Sequence, residues 1–226
     1  MTQANRNSDV RRDADDGSHR TPTRCAVFPC KHLTQQTAGN GYSLRYCKHH
    51  VEHHRRHGSY WHKSITAAQL APFMRTARLW LRRYREDHRV KSAIAAVESL
   101  LQGSGRYENA YSLRGKLPKQ RAQHALARLR KAEIDPAVIL QRALAVTAFC
   151  ESQMIDDRQR EYRYVQIAKS IHRLASGTHK TTSGFPLPSK YPRSEGQVLR
   201  HLGQWLDDIA SFTLGGRSIL EDHLVE

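Results

Sequence analysis

Cysteine is scarce in this chain: four in 226 residues, too few for a fold stapled by disulfides. No apolar run approaches the ~20 residues of a membrane span. The first twenty residues hold no apolar stretch, so no secretory leader is expected and the chain reads as cytoplasmic. Hydrophobic residues make up 38% and aromatics 8%, with a mean hydropathy of -0.70. That is low, but a chain of this length can still bury a core of its own. A Walker loop, a dinucleotide fingerprint and a nucleophile elbow are all missing, which removes the commonest nucleotide-binding and hydrolase readings. The residues a compact His–Asn nuclease would need (Asp87-His88, Asn109, His124) are scattered over separate expected elements, so no catalytic residue is assigned.

Acids are scarce as well. Asp and Glu number 21 against 37 Lys and Arg, a formal charge of +16. The imbalance is local: residues 1–20 are neutral, 21–66 carry +6, 67–133 carry +10, 134–176 carry +1 and 177–226 carry -1. An excess confined to one stretch is the footprint of a polyanionic partner.

The polar segment 1–22 reads as a disordered arm, and 23–63 as a small cysteine- and histidine-rich module. Within that module Asn40-Gly41 is a hairpin turn, joining a strand near Gln35–Thr37 to one at Tyr42–Tyr46. A short helix from Lys48 is expected to end at Gly58. Residues 64–175 form a helical domain, 176–193 a Gly/Ser/Pro-rich linker, and 194–226 a C-terminal helix and tail. The periodicity predicts one amphipathic helix over 66–89, continued or followed by another to Gly103. Pro118 and Asp135-Pro136 open two more. These two could form a helix-turn-helix, although simple helical hairpins are far commoner. Ser194-x-x-Gln197 suggests a capping box. Behind it Val198, Leu202, Trp205, Ile209 and Phe212 form a core-facing stripe. The fold class is therefore mainly α, with an N-terminal ββα-like metal module.

Cys25-x4-Cys30, sixteen residues, then Cys47-x2-His50 is a two-knuckle arrangement. Each close pair sits on a tight turn and aims its side chains at one point, as a tetrahedral zinc ion requires. Four protein ligands describe one closed, structural Zn2+ site, because a catalytic zinc keeps a position open. His49, His53 and His54 compete with His50 for the fourth position, and a Cys25, Cys30, His50, His54 set is also conceivable. His50 is preferred because Cys-x2-His mirrors the knuckle spacing.

The stretch RCAVFPCKHLTQQTAGNGYSLRYCKHHVEHHRRHGS resembles a short zinc-binding segment of bacteriophage and mobile-element proteins, one that often accompanies HNH-type homing endonucleases. The resemblance implies Cys25, Cys30, Cys47 and His50 as ligands, and Arg55-Arg56-His57-Gly58 as a basic helix end. It departs from the pattern at Val51, His53, His54 and Ser59-Tyr60, and covers residues 25–59 only.

Six histidines fall between positions 49 and 62, most simply a polar helix face. Arg75, Arg78, Arg82, Arg85 and Arg89 recur at spacings of 3, 4, 3 and 4, one face of a helix, with Phe73, Ala77, Trp80, Leu81 and Tyr84 opposite. With Lys48, Arg55 and Arg56 they form the expected nucleic-acid contacts, to DNA in preference to RNA. A solvated face, or pairing with Asp207-Asp208, is the plainer alternative. The expectation is a zinc-containing nucleic-acid-binding protein rather than an enzyme. The competing readings are a nuclease or nuclease accessory targeted by the zinc segment, and a zinc-braced protein-interaction scaffold. A protein partner or a second copy stays open; a membrane is not expected.

Overall fold

The computed structural model describes residues 23–34, 43–108, 111–113, 115–155, 159–175 and 196–224. The expected arm, the Asn40-Gly41 turn and the 176–193 linker lie outside them. The chain divides into two compact units, 1–52 and 53–226. In order, the helices are α1 (Lys48–His57), α2 (Ala67–Arg83), α3 (His88–Gln102), α4 (Pro118–Lys131), α5 (Pro136–Ser152), α6 (Arg160–His172), α7 (Gln197–Leu214) and α8 (Ile219–Leu224). The fold is mainly α. No helix among the described residues is long and apolar enough to cross a membrane.

The ββα-like form expected for the metal module is not supported, and its first expected strand, Gln35–Thr37, lies outside the described residues. Among the described residues of the first unit there is no strand, and Arg24 pairs with Leu33 only as an isolated bridge. Within the second expected strand, the Ser43 hydroxyl accepts from the backbone N–H of Arg45 (3.2 Å) and of Tyr46 (3.1 Å). A side chain that takes these donors removes them from any ladder.

In the second unit the helix starts follow their caps. Thr66 and Gln69 close a capping box on α2, Asp135 accepts from Ala137 N–H at 2.8 Å to open α5, and Pro118 and Pro136 occupy first turns. The single helix expected over 66–89 is two. The chain leaves α2 at Tyr84, and the Asp87 carboxylate accepts from Arg89 N–H at 2.7 Å to start α3. Likewise α7 begins at Gln197 behind Gly196, so Gln197 is not the third residue of a box opened by Ser194.

The core is built around α5, whose Ala143, Leu144, Ala145 and Val146 are all buried in succession. A helix enclosed on every side cannot lie in a DNA groove, which sets aside a helix-turn-helix made of α4 and α5. Against α5 pack α2, α3, α6 and α7. Four residues of the stripe expected on α7 meet the core: Val198 and Leu202 are buried, and Trp205 and Ile209 pack against it partly buried. Leu199, Leu202, Gly203, Leu206, Asp207, Ala210 and Thr213 face inward, while Phe212 is 52% exposed. Asp207 is fully buried because Arg163 holds it with two bonds of 2.5 and 2.9 Å, and Arg160 approaches at 3.6 Å.

Gly203 brings α7 against α6: a Cβ there would overlap the Tyr164 carbonyl. Helix propensity alone predicts that Gly203→Ala stabilises by ~1 kcal/mol. The backbone overlap predicts the reverse, a loss of about 3 kcal/mol, read in calorimetry as a Tm lower by roughly 6–12 °C. A Tm equal to or above the parent's would contradict this packing.

Candidate metal centre and basic helix face

Three cysteines and one histidine meet in the first unit. The Sγ atoms of Cys25, Cys30 and Cys47 and a ring nitrogen of His50 all lie within 4.8 Å of one another, and the group could hold a metal ion. His50 Nδ1 is 3.3 Å from Cys25 Sγ and 3.3 Å from Cys47 Sγ, and Cys30 Sγ is 3.9 Å from Cys47 Sγ. With Zn–S of ~2.3 Å and Zn–N of ~2.0–2.1 Å, a tetrahedron has edges of about 3.8 Å between sulfurs and about 3.6 Å between sulfur and nitrogen. The ligand atoms therefore stand at coordination spacing. They are far from the ~2.05 Å of a disulfide, and all the cysteines are free.

The backbone sets this geometry. Cys30 N–H donates to Val27 C=O at 2.7 Å, closing the first knuckle, and Cys25 N–H donates to His32 C=O at 2.9 Å. The second knuckle is the start of α1, where Val51 N–H donates to Cys47 C=O at 3.0 Å. Ala26 N–H to Arg45 C=O (2.8 Å) joins the two, and Cys47 N–H donates to Cys25 Sγ at 3.4 Å. Burial opposes ionisation at Cys25, but the N–H groups of Cys47 and Val27 outweigh it and hold the thiol below its ordinary value. Burial raises Cys47.

The competing histidines are engaged elsewhere. His49 is exposed. In the second unit His53 Nδ1–H donates to Ser59 C=O at 2.8 Å, and His54 Nε2 faces Glu161 at 3.4 Å. Burial alone would raise Glu161, but the His54 hydrogen bond and the Arg200 charge hold it below the usual carboxylate range. Among the described residues no second cluster of this kind occurs.

His57 Nδ1 lies 2.9 Å from Ser64 Oγ and 3.3 Å from the Lys169 ammonium, which also donates to Ser64 Oγ at 2.7 Å. Burial, then the charges of Lys169, His53 and Arg56, push His57 down to about 4. Burial, with Arg173 and Arg200, brings Lys169 to about 8. A histidine whose folded value lies below its unfolded ~6.5 supports the fold only while neutral. That contribution is complete above ~6.5 and is lost as pH falls toward the folded value. Discounted for solvent screening it is on the order of 1 kcal/mol. The Tm drop between pH 7 and pH 4.5 should therefore be about 2–4 °C larger in the parent than in His57→Asn. Identical drops would contradict this.

The expected basic residues fall on three helices and a turn. Lys48 is exposed on the first turn of α1, in the first unit, where it lines an open groove with His32, Thr34, Cys47 and His49. Arg55 and Arg56 are exposed on its last turn. Arg75, Arg78 and Arg82 are exposed on α2, opposite the side that buries Leu70, Ala77 and Trp80, and none has a partner among the described residues. Arg85 lies in the turn after α2, 3.3 Å from Glu86. Arg89, on α3, is half-buried with its guanidinium against Gly215. The five-residue stripe is thus three arginines on one face, broken by the Asp87 cap. Asp207 does not neutralise it, being taken by Arg163 and Arg160.

Of the residues a nuclease would need, Asp87 caps α3 and pairs with Arg217 at 3.0 Å, and His124 is buried on the backbone of Glu108. Asn109 lies outside the described residues. The sequence reading passed over the segment after α1, residues 58–65, which the structure pins to α6. Tyr162 OH donates to Lys63 C=O (2.8 Å), Ile65 N–H to Gln166 Oε1 (3.1 Å) and Gln166 Nε2 to His57 C=O (3.1 Å). Its signal was Tyr60-Trp61 set between Arg55-Arg56 and Lys63. Comparison with protein families, with curated proteins and with solved structures finds no match to this chain.

Proposed function

We propose that this protein binds nucleic acid, DNA in preference to RNA, through the arginine face of α2, and that its Cys25–Cys30–Cys47–His50 cluster is a structural zinc site. The observation that carries the reading is the row Arg75, Arg78, Arg82: exposed, on one helix face, and without a partner among the described residues. Their Cα atoms are spaced about 4.5 and 6 Å along the axis of a helix rising 1.5 Å per residue, a span suited to neighbouring phosphates. Guanidinium groups suit phosphate oxygens in geometry as well as charge. Such contacts hold a protein on a strand without reading sequence.

Zinc is the metal this donor set favours, because three thiolates and an imidazole in a tetrahedron match its preferences. Bound there it would act as a structural cross-link. The four residues would hold it from four sides and leave no open position for a water. The likeness of residues 25–59 to phage and mobile-element zinc segments fits this reading. The test is anisotropy of labelled 20-base-pair DNA and of RNA, titrated with zinc-loaded protein at 50 mM salt. Saturable micromolar binding is expected. Absence of binding to both would sink the proposal.

A further inference from the structure

The segment after α1 is held more firmly than a plain connection requires. Besides its bonds to α6, the Ser59 hydroxyl accepts from the backbone N–H of Trp61 (3.3 Å) and of His62 (3.1 Å). Gly58 adopts φ +77°, where its missing Cβ lets the turn lie on the backbone of Glu161 and Tyr162. Rings fix the flanks: Tyr60 stacks on His54 with centroids 4.2 Å apart and planes at 19°, and His62 lies 5.2 Å from Tyr162. Between these two anchored rings stands Trp61, which is 51% exposed. Trp80, by contrast, is 3% exposed.

An indole half-exposed on a backbone held this firmly offers a partner an apolar face at low ordering cost. The surroundings specify the partner. Arg55 and Lys63 are exposed, and their side chains have no partner among the described residues. No acid occurs between His53 and Thr66. Glu161, which does approach, is held by Arg200 and His54. An exposed indole on an anchored segment, with Arg55 and Lys63 a few residues to either side, is the chemistry of base stacking with adjoining phosphate contacts. A duplex cannot use it, because its base faces are already occupied by one another.

We infer that Trp61 is a stacking platform for an unpaired base, with Arg55 and Lys63 on the adjoining phosphates, so that the protein engages single-stranded nucleic acid or an exposed single-stranded stretch. This rests on the nucleic-acid reading above and adds a strand preference that the α2 face cannot supply.

The test uses the zinc-loaded full chain with labelled oligothymidylate of twelve nucleotides and a twelve-base-pair duplex. Trp61→Ala should weaken oligothymidylate binding roughly tenfold, as loss of one stacked base does, and change duplex binding less than twofold. Trp61→Phe, which keeps a ring, should retain most of the affinity. Parent tryptophan emission should be quenched by oligothymidylate, and the quenching lost in Trp61→Phe. Equal oligothymidylate affinity in the parent and Trp61→Ala overturns the inference and leaves duplex binding standing. Self-association abolished by Trp61→Ala, with oligothymidylate affinity unchanged, also overturns it and makes the indole a contact between copies. If neither nucleic acid binds, the functional proposal falls with it.

Discussion

Removing the metal, or replacing Cys47 with Ser, should unfold the N-terminal unit and leave the helical unit standing. The argument lies in what the first unit does not bury. Among its described residues only Cys25, Cys47 and Thr34 are buried, while Phe28 is 95% and Leu33 58% exposed. With no apolar core among these described residues, four ligand side chains and a few backbone hydrogen bonds are what holds them together. Structural zinc supplies ~10–16 kcal/mol of apparent binding free energy in such modules, far more than those hydrogen bonds at ~1 kcal/mol net each. The second unit has its own core around α5 and does not depend on the site. Limited proteolysis after chelation should therefore cut between residues 23 and 52 and leave a resistant fragment carrying the helices. Added zinc should restore protection to the chelated parent but not to Cys47→Ser. Equal resistance with and without metal would show that the cluster is not structural.

The second large effect is on binding. Replacing Arg75, Arg78 and Arg82 together by Ala removes three phosphate contacts from one face. Each contact contributes about 0.9 log unit of affinity per tenfold dilution of salt below 1 M, so three contribute about 2.7 log units at 0.1 M. A loss of roughly a hundredfold or more is expected at that salt. The substitution sites are exposed and Ala is a good helix former, so Tm should be unchanged or slightly raised. Arg89→Ala should weaken binding far less, since that guanidinium is packed on Gly215. Similar losses for Arg89→Ala and the triple variant would show that exposure on α2 is not what matters.

The metal centre was the part of the site most legible in the sequence, because ligand spacing is local: Cys-x4-Cys and Cys-x2-His each need only one turn. Spacing also favoured His50 as the fourth ligand, although His49, His53 and His54 are chemically alike. What separates them is where His53 and His54 find partners, on Ser59 and Glu161. The helix starts at Pro118 and Pro136 could be read for the same local reason. The break between α2 and α3 was hidden because arginines at helical spacing run straight through it, although Asp87 ahead of Arg89 was a readable cap. The inward face of α7 was legible at Val198, Leu202, Trp205 and Ile209, but hydrophobicity alone counts Gly203, Asp207 and Thr213 as outside. A close helix contact and a buried ion pair turn them in. The Trp61 segment was missed because its hold depends on residues about a hundred positions away.

The salt dependence of duplex binding, in the parent and in the triple arginine variant, tests the account most directly. The slope of log affinity against log salt should be shallower by about 2.7 in the variant, one phosphate per arginine. Parallel slopes would mean that the α2 face does not touch phosphate.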